Sequence, residues 1–466
     1  MTLNKLLPTI MQSVENQQGF FSHNHTLYRI HEGALLDYVL EKIKEQVNEK
    51  AFKQIAQRPV PINVLKRLVD KLSKIYVRGP KRSIESLEES SDENMLLSKW
   101  EKALSINTKL ALANRYFNLQ KGTFIEPYLD RGKPKLRALP FDRFSVYSND
   151  PVEPLRVTHL VKTMGEHVFI NGERRLYFYV YSDDEFLICD AKGAVIPELM
   201  AKHGSDGINE YGRIPGVYVH RSSTDLIPEI DTDTLSMTLL FPILLSDLSF
   251  AVMYQSFSIV YGIDIDMSNL FMSPNAVWDI KSDKDNEGKT PQVGTIKPTV
   301  DIDAVVRFVI TLLSTWMQTR NIRPGAGIGN VTTENFASGI AKAIDEMDTS
   351  EDRMEQIPFF VDAETELWEL LINHMMPVWE NDEDFRKQDL QVIPFGNKVA
   401  IQFPEQQAIL DESTKLDNMK KKKDMGIVTK RDLVKEYNPT FSSEQIEQKV
   451  KDLKEEENTQ NTEGLV

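Results

Sequence analysis

His23, His25 and His31, the last followed directly by Glu32, have the residue types of a zinc hydrolase. In such a site two imidazoles one helical turn apart hold the metal, and the glutamate beside the first acts as general base. His31-Glu32 opens an H-E-x-x-H pattern that ends on Leu35, so the second ligand is missing. Asp283, Asp285, Glu287 and Gly288 imitate the start of a calcium loop, yet its twelfth position is Gly294, where a bidentate glutamate is needed. Gly325, Gly327 and Gly329 suggest a phosphate cradle. Their spacing is G-x-G-x-G, and the element before them reads as a helix, so no strand aims backbone amides at a phosphate. Neither a G-x-x-x-x-G-K-[ST] loop nor a G-x-S-x-G elbow occurs. The sequence gives no positive sign of an enzyme, a cofactor or a metal, and any ATP-driven step belongs to another protein.

The glycines lie within a long polar loop between two helices: DIDAVVRFVITLLSTWMQTR (301–320), NIRPGAGIGNVTTENFA (321–337), then SGIAKAIDEMD. Compact domains rarely keep so long a connection unless it has work to do. In the first helix Ile302, Val305, Val306, Val309, Leu313, Trp316 and Met317 recur at helical spacing, and Arg307, Thr311, Ser314 and Gln318 form one narrow polar line. A helix so nearly ringed by apolar residues needs neighbours on both sides. Its single wet stripe suggests helices packed side by side around an aqueous lumen.

With 466 residues, 41% of them hydrophobic, the chain can bury a substantial core in several structural units. A net charge of -15 argues against a surface that grips nucleic acid, because that binding rests on Lys and Arg neutralising phosphates. It leaves room for a nucleic acid that slides without sticking. Cys189 is the only cysteine, so no disulfide forms within one chain, as suits assembly in a reducing cytoplasm. The amino terminus has no apolar core and cleavage site of a secretion signal. Residues 239–262 are long and apolar enough to span a bilayer, but Asp247 near their middle would cost about 3 kcal/mol there. Burial between protein subunits accounts for the same residues without that cost.

The first third reads as helical. In PINVLKRLVDKLSKIYVRGPKR, Leu65, Leu68, Val69, Leu72, Ile75 and Tyr76 follow helical spacing up to a stop at Gly79-Pro80, opposite a basic face of Lys66, Arg67, Lys71, Lys74 and Arg78. That face reads as a solvated surface in preference to a phosphate site, because no aromatic residue interleaves with it. SIESLEESSDEN reads as an exposed linker, and MLLSKWEKALSINTKLALANRYFNLQ as one helix leading to Gly122. From about 123 to 222 the period changes to two. Asn171-Gly172 marks a hairpin, EFLICDAKGAVI a second pair of strands, GRIPGVYVHR a closing strand, and Tyr177, Tyr179 and Tyr181 sheet packing. Residues 231–261 return to helix, 262–300 form an irregular, partly β insert, and FFVDAETELWELLINHMMPVW is helical. LQVIPF and KVAIQF read as strands. Small helices follow; Lys420 to Lys423 lie on one, and this run reads as a solvated helix face in preference to a nucleic-acid contact, because Asp411, Glu412, Asp417 and Asp424 dilute its field.

This order resembles the portal, or head-to-tail connector, protein of tailed bacteriophages. Three stretches carry the resemblance: PINVLKRLVDKLSKIYVRGP, TENFASGIAKAIDEMDTSEDRMEQ and GIVTKRDLVKEYNPTFSSEQIEQKVKDLKEE. It implies a mainly helical α+β subunit with wing, stem, clip and crown regions, in a closed ring of about twelve copies at one capsid vertex. The ring would pass double-stranded DNA during packaging by a separate terminase large subunit, retain it, release it, and dock head-completion or tail adaptor proteins within the major capsid or scaffold shell. The subunit would assemble in the host cytoplasm and remain in the virion, with no membrane partner. The alternative is a membrane-associated oligomeric channel. Carried over by segment, 1–230 is wing, 231–261 the first stem helix, 262–300 the clip and 301–320 the second stem helix. Residues 321–337 become the tunnel loop, 338–404 a wing helix with short strands, 405–457 the crown and 458–466 a disordered tail. Asn330, Thr332 and Thr333 would approach DNA, Arg320 and Arg323 would bridge neighbouring subunits or touch phosphates, and Gly325, Gly327 and Gly329 would give the loop mobility. Arg307, Thr311, Ser314 and Gln318 would line the lumen.

Overall fold

The computed structural model describes residues 2–57, 59–85, 91–170, 173–222, 224–256, 259–263, 292–296, 301–320 and 349–404, and a few residues near the carboxyl end. The chain divides into two units, Met1–Pro404 and Glu405–Val466. In the second, only Thr429 and the helical residues 447–449 and 451 are described, so the expected crown and tail lie outside the described residues. The first unit is α+β with helix predominant, in keeping with the sequence.

Five helices open it: α1 (Leu3–Asn16), α2 (Gln18–Arg29), α3 (Leu35–Gln46), α4 (Glu49–Ile55) and α5 (Val64–Leu72). Between α2 and α3 a π-helical turn bends at Gly33, whose φ of 115° a side chain would resist. The Asn63 side chain accepts from the Lys66 amide and starts α5. This short helix feeds two clusters: Val64 and Leu68 pack with the helices near residue 313, while Leu65 and Val69 pack with α2 and α3. It ends at Leu72, not at Gly79-Pro80. Ile75 and Tyr76 belong to a different core, where the Tyr76 ring meets Phe360 and Phe403, and reaching it draws the chain out of helical geometry.

The expected single helix before Gly122 is two, α6 (Asp92–Leu104) and α7 (Ile106–Gln120), broken at Ser105 with φ 50°. Leu104 and Ile106 both bury in the main core. On a continuous helix they would point about 200° apart, so only a break lets both in.

The strands form small antiparallel sheets. β1 (Lys81–Ile84) pairs with β11 (Val399–Gln402), so the expected linker begins as a strand and Ile84 is buried. A three-stranded sheet has the order β3 (Lys133–Pro140), β2 (Gly122–Asp130), β8 (Val217–His220). Its tight turn pairs Asp130 with Lys133 across Arg131 and Gly132, both at positive φ, as a two-residue hairpin requires. A four-stranded sheet runs β4 (Phe144–Tyr147), β5 (His159–Ile170), β6 (Glu173–Tyr181), β7 (Phe186–Asp190). Ile170 faces Glu173 in register, so the hairpin read from Asn171-Gly172 has two residues in its loop. Two strand expectations need correction. EFLICDAKGAVI yields one strand and a single bridge from Cys189 to Val195, and LQVIPF yields none, because Ile393 is buried by side-chain packing alone.

After the short helix α8 (Pro197–Lys202) come α9 (Thr232–Ser256), β9 (Ile259–Ile263), β10 (Gln292–Ile296) and α10 (Ile302–Gln318). The last long helix, α11 (Ser350–Leu370), continues through a π-helical turn into α12 (Met376–Trp379), and α13 (Glu383–Arg386) follows. Fully buried Glu364 anchors α11. It accepts from Tyr76 Oη at 2.6 Å and from Arg82 Nε at 2.6 Å, while Arg82 also donates to Glu101 at 3.1 Å. Burial raises the Glu364 carboxyl, against the pull of these donors.

Candidate functional site

The helical hairpin read from the sequence is present. Helix α9 leads into β9, which pairs antiparallel with β10 from Ile259↔Ile296 to Ile263↔Gln292, and β10 leads to α10. The first helix ends at Ser256 and not at 261. Ile-Val-Tyr-Gly-Ile at 259–263 is rich in β-branched and aromatic residues and enters the ribbon. Between the two strands, 264–291 lie outside the described residues, as does the imitation calcium loop.

Helix α10 has three faces. Val306, Val309, Leu313, Trp316 and Met317 are buried against Phe241 of α9 and Val64 and Leu68 of α5. Arg307, Thr311 and Gln318 are exposed and Ser314 half-buried, so the polar line faces away from that core. The Thr311 hydroxyl donates to the Arg307 carbonyl at 2.9 Å, leaving little side-chain polarity to compete for a ligand. On one flank, about 100° round the helix from Arg307, Phe308 is 58% exposed, next to half-buried Val305 and Leu312.

Helix α9 is apolar all round. Thr232–Val252 is long and apolar enough to cross a membrane, with mean hydropathy 1.8, and only a third of that stretch is buried in the chain. Within it Ser246 donates to the Pro242 carbonyl at 2.7 Å and accepts from the Val60 amide at 3.1 Å, whereas the buried hydroxyls of Thr234 and Thr238 have no hydrogen-bond partner among the described residues. Partial desolvation raises the Asp247 carboxyl above the ordinary range.

The two helices are latched at one end. Asp231 caps α9 by accepting from the Thr234 amide at 3.1 Å, and Arg320, just past α10, reaches it at 2.5 Å. The guanidinium also lies 5.5 Å from the centre of the Trp316 ring. Burial by itself would raise the Asp231 carboxyl, but Arg320, with Lys121 and the cap amide, holds it below the ordinary value. The expected partners of Arg320 were a neighbouring subunit or a phosphate. Within this chain it is spent on Asp231, a pairing between residues 89 apart that no local pattern announces.

No protein-family model matches this chain, and no curated protein matches its sequence.

The remaining sequence candidates divide cleanly. Arg323, Gly325, Gly327, Gly329, Asn330, Thr332 and Thr333 lie in 321–348, outside the described residues. The histidines do not converge: His25 pairs with Asp142 at 2.8 Å, and buried His31 meets Glu32 at 3.1 Å and Asp70 at 3.5 Å. Among the described residues no three His, Cys, Asp or Glu side chains are placed to hold a metal ion. The basic helix face read from the sequence is cut short: on α5 Lys66 pairs with Asp70 at 3.4 Å and Arg67 is exposed, while Lys74 and Arg78, also exposed, lie past the end of the helix.

Proposed function

We propose that this chain is the subunit of a portal-type ring, a channel at one capsid vertex through which double-stranded DNA is packaged by a terminase, retained and ejected. The observation that carries the proposal is the division of α10 into a face covered by its own chain, a polar face, and an apolar flank around Phe308 that the described residues cover only in part. A second copy seated on that flank would turn every polar line toward a common axis. A lumen so lined suits passage of a long polyanion: one arginine, two hydroxyls and an amide per copy give weak, repeated contacts, whereas dense Lys and Arg would hold the phosphates by counterion release. The Arg320–Asp231 latch removes one further cation from that surface. The strand ribbon at the hairpin tip would dock the motor and then tail adaptors.

Negative-stain imaging of the purified full chain is the test. Rings with a central hole support the reading, and monomers under every assembly condition overturn it. The hydropathy of α9 favours one other reading, a membrane-associated oligomeric channel. Rings that form without detergent and do not float with lipid vesicles decide against it.

A further inference from the structure

The two main sheets are joined by a buried ionic triad. Glu126 on β2 accepts from Lys162 Nζ on β5 at 2.5 Å through one oxygen and from Arg137 Nε on β3 at 2.7 Å through the other. The side chains of Glu126 and Lys162 are 6% and 4% exposed, and that of Arg137 is 33% exposed. One buried carboxylate needs one cation. Here two share it, which leaves one net positive charge on the floor of a cleft of about 370 Å³. Both carboxylate oxygens are in use. The two Nη groups of Arg137 have no acceptor among the described residues, and the Lys162 ammonium otherwise faces the Tyr181 ring, 4.4 Å from its centre.

The walls are aromatic. Tyr181 stacks on Phe186 with centroids 4.4 Å apart, and Phe186 stacks in turn on Tyr179 at 5.9 Å. Tyr179 is fixed at the rim by a hydrogen bond of 3.0 Å with His203 Nε2, and Tyr128 lies under the Arg137 guanidinium at 5.0 Å. A purely structural bridge between sheets would not need an open, ring-walled cleft above it. A guanidinium edge with free donors matches a carboxylate or phosphate, and flat rings match a planar group.

We propose that this cleft binds a planar organic anion, a carboxylate or phosphate carried on an aromatic or heteroaromatic ring, with the charge on Arg137 and Lys162 and the ring between Tyr128 and the Tyr179–Tyr181–Phe186 wall. The site does not depend on ring assembly or on DNA.

Isothermal titration of the full chain with indole-3-acetate and with thymidine 5′-monophosphate tests it, against indole, thymidine, acetate and inorganic phosphate as controls. Saturable binding at millimolar concentration or below is expected for at least one ring-bearing anion, and binding at least tenfold weaker for all four controls. Whichever of the two probes binds identifies carboxylate or phosphate as the anion. Arg137→Gln, at the partly exposed member of the triad, should weaken that binding tenfold or more, and Arg137→Lys by less. Binding of neither probe, controls that bind equally well, or an unchanged affinity in a folded Arg137→Gln protein overturns the proposal.

Discussion

Phe308→Ser separates assembly from folding. A phenylalanine side chain offers roughly 200 Å² of surface, and with Phe308 58% exposed about 120 Å² of it remains for a neighbour to cover. At about 25 cal/mol per Å² the ring is worth up to about 3 kcal/mol per subunit contact, or two orders of magnitude in the contact's dissociation constant. The roughly 80 Å² that the single chain already covers is worth up to about 2 kcal/mol by the same conversion, so unfolding stability should fall by no more than that. Mass photometry across a dilution series gives the concentration at which rings dissociate, and urea unfolding of the dilute protein gives the control. The expected result is assembly displaced to far higher concentration by a protein that still unfolds cooperatively, with its midpoint lowered by no more than that cost. Assembly at the wild-type concentration would refute the assignment of this flank to a subunit contact, since no neighbour could then be covering the ring.

Two further outcomes follow from the charge pairs. Arg82→Met should destabilise the chain by about 3–5 kcal/mol in guanidinium unfolding, because it strands the buried Glu364 carboxylate; the double variant with Glu364→Leu should recover part of that loss, and a cost under about 1 kcal/mol for the single change would count against the anchor role. Asp231 has a folded-state pKa below its unfolded value, so the stability it contributes is fully present above about pH 4 and is lost as pH falls through the depressed folded value. The stability gap between wild type and Asp231→Asn, measured by urea unfolding at a series of pH values, should therefore close on acidification, and a gap independent of pH would exclude the Arg320 pairing as its source.

Much of the architecture follows from local patterning. The helical spacing of Val306, Val309, Leu313, Trp316 and Met317 set both the existence and the buried face of α10, and the same spacing left Arg307, Thr311 and Gln318 on the outside. Asn171-Gly172 fixed a hairpin because a two-residue turn sets the register next to it, from Ile170↔Glu173 to His167↔Leu176, before the pairing shifts toward Thr163. These are signals within a few residues of one another, where backbone geometry alone decides the outcome.

What the sequence could not decide were contacts between distant segments. Ser105 breaks a helix because Leu104 and Ile106 are drawn to the same core, and α5 stops at Leu72 because Tyr76 is claimed by Phe360 and Glu364. Arg320 meets Asp231, and Lys162 meets Glu126, across separations that no periodicity spans. The sequence determined which residues are apolar, which turns are tight and which helix carries a polar line. Only the tertiary structure chose the partners of the buried charges, because removing a charge from water is tolerated only where the fold brings its counterion within reach.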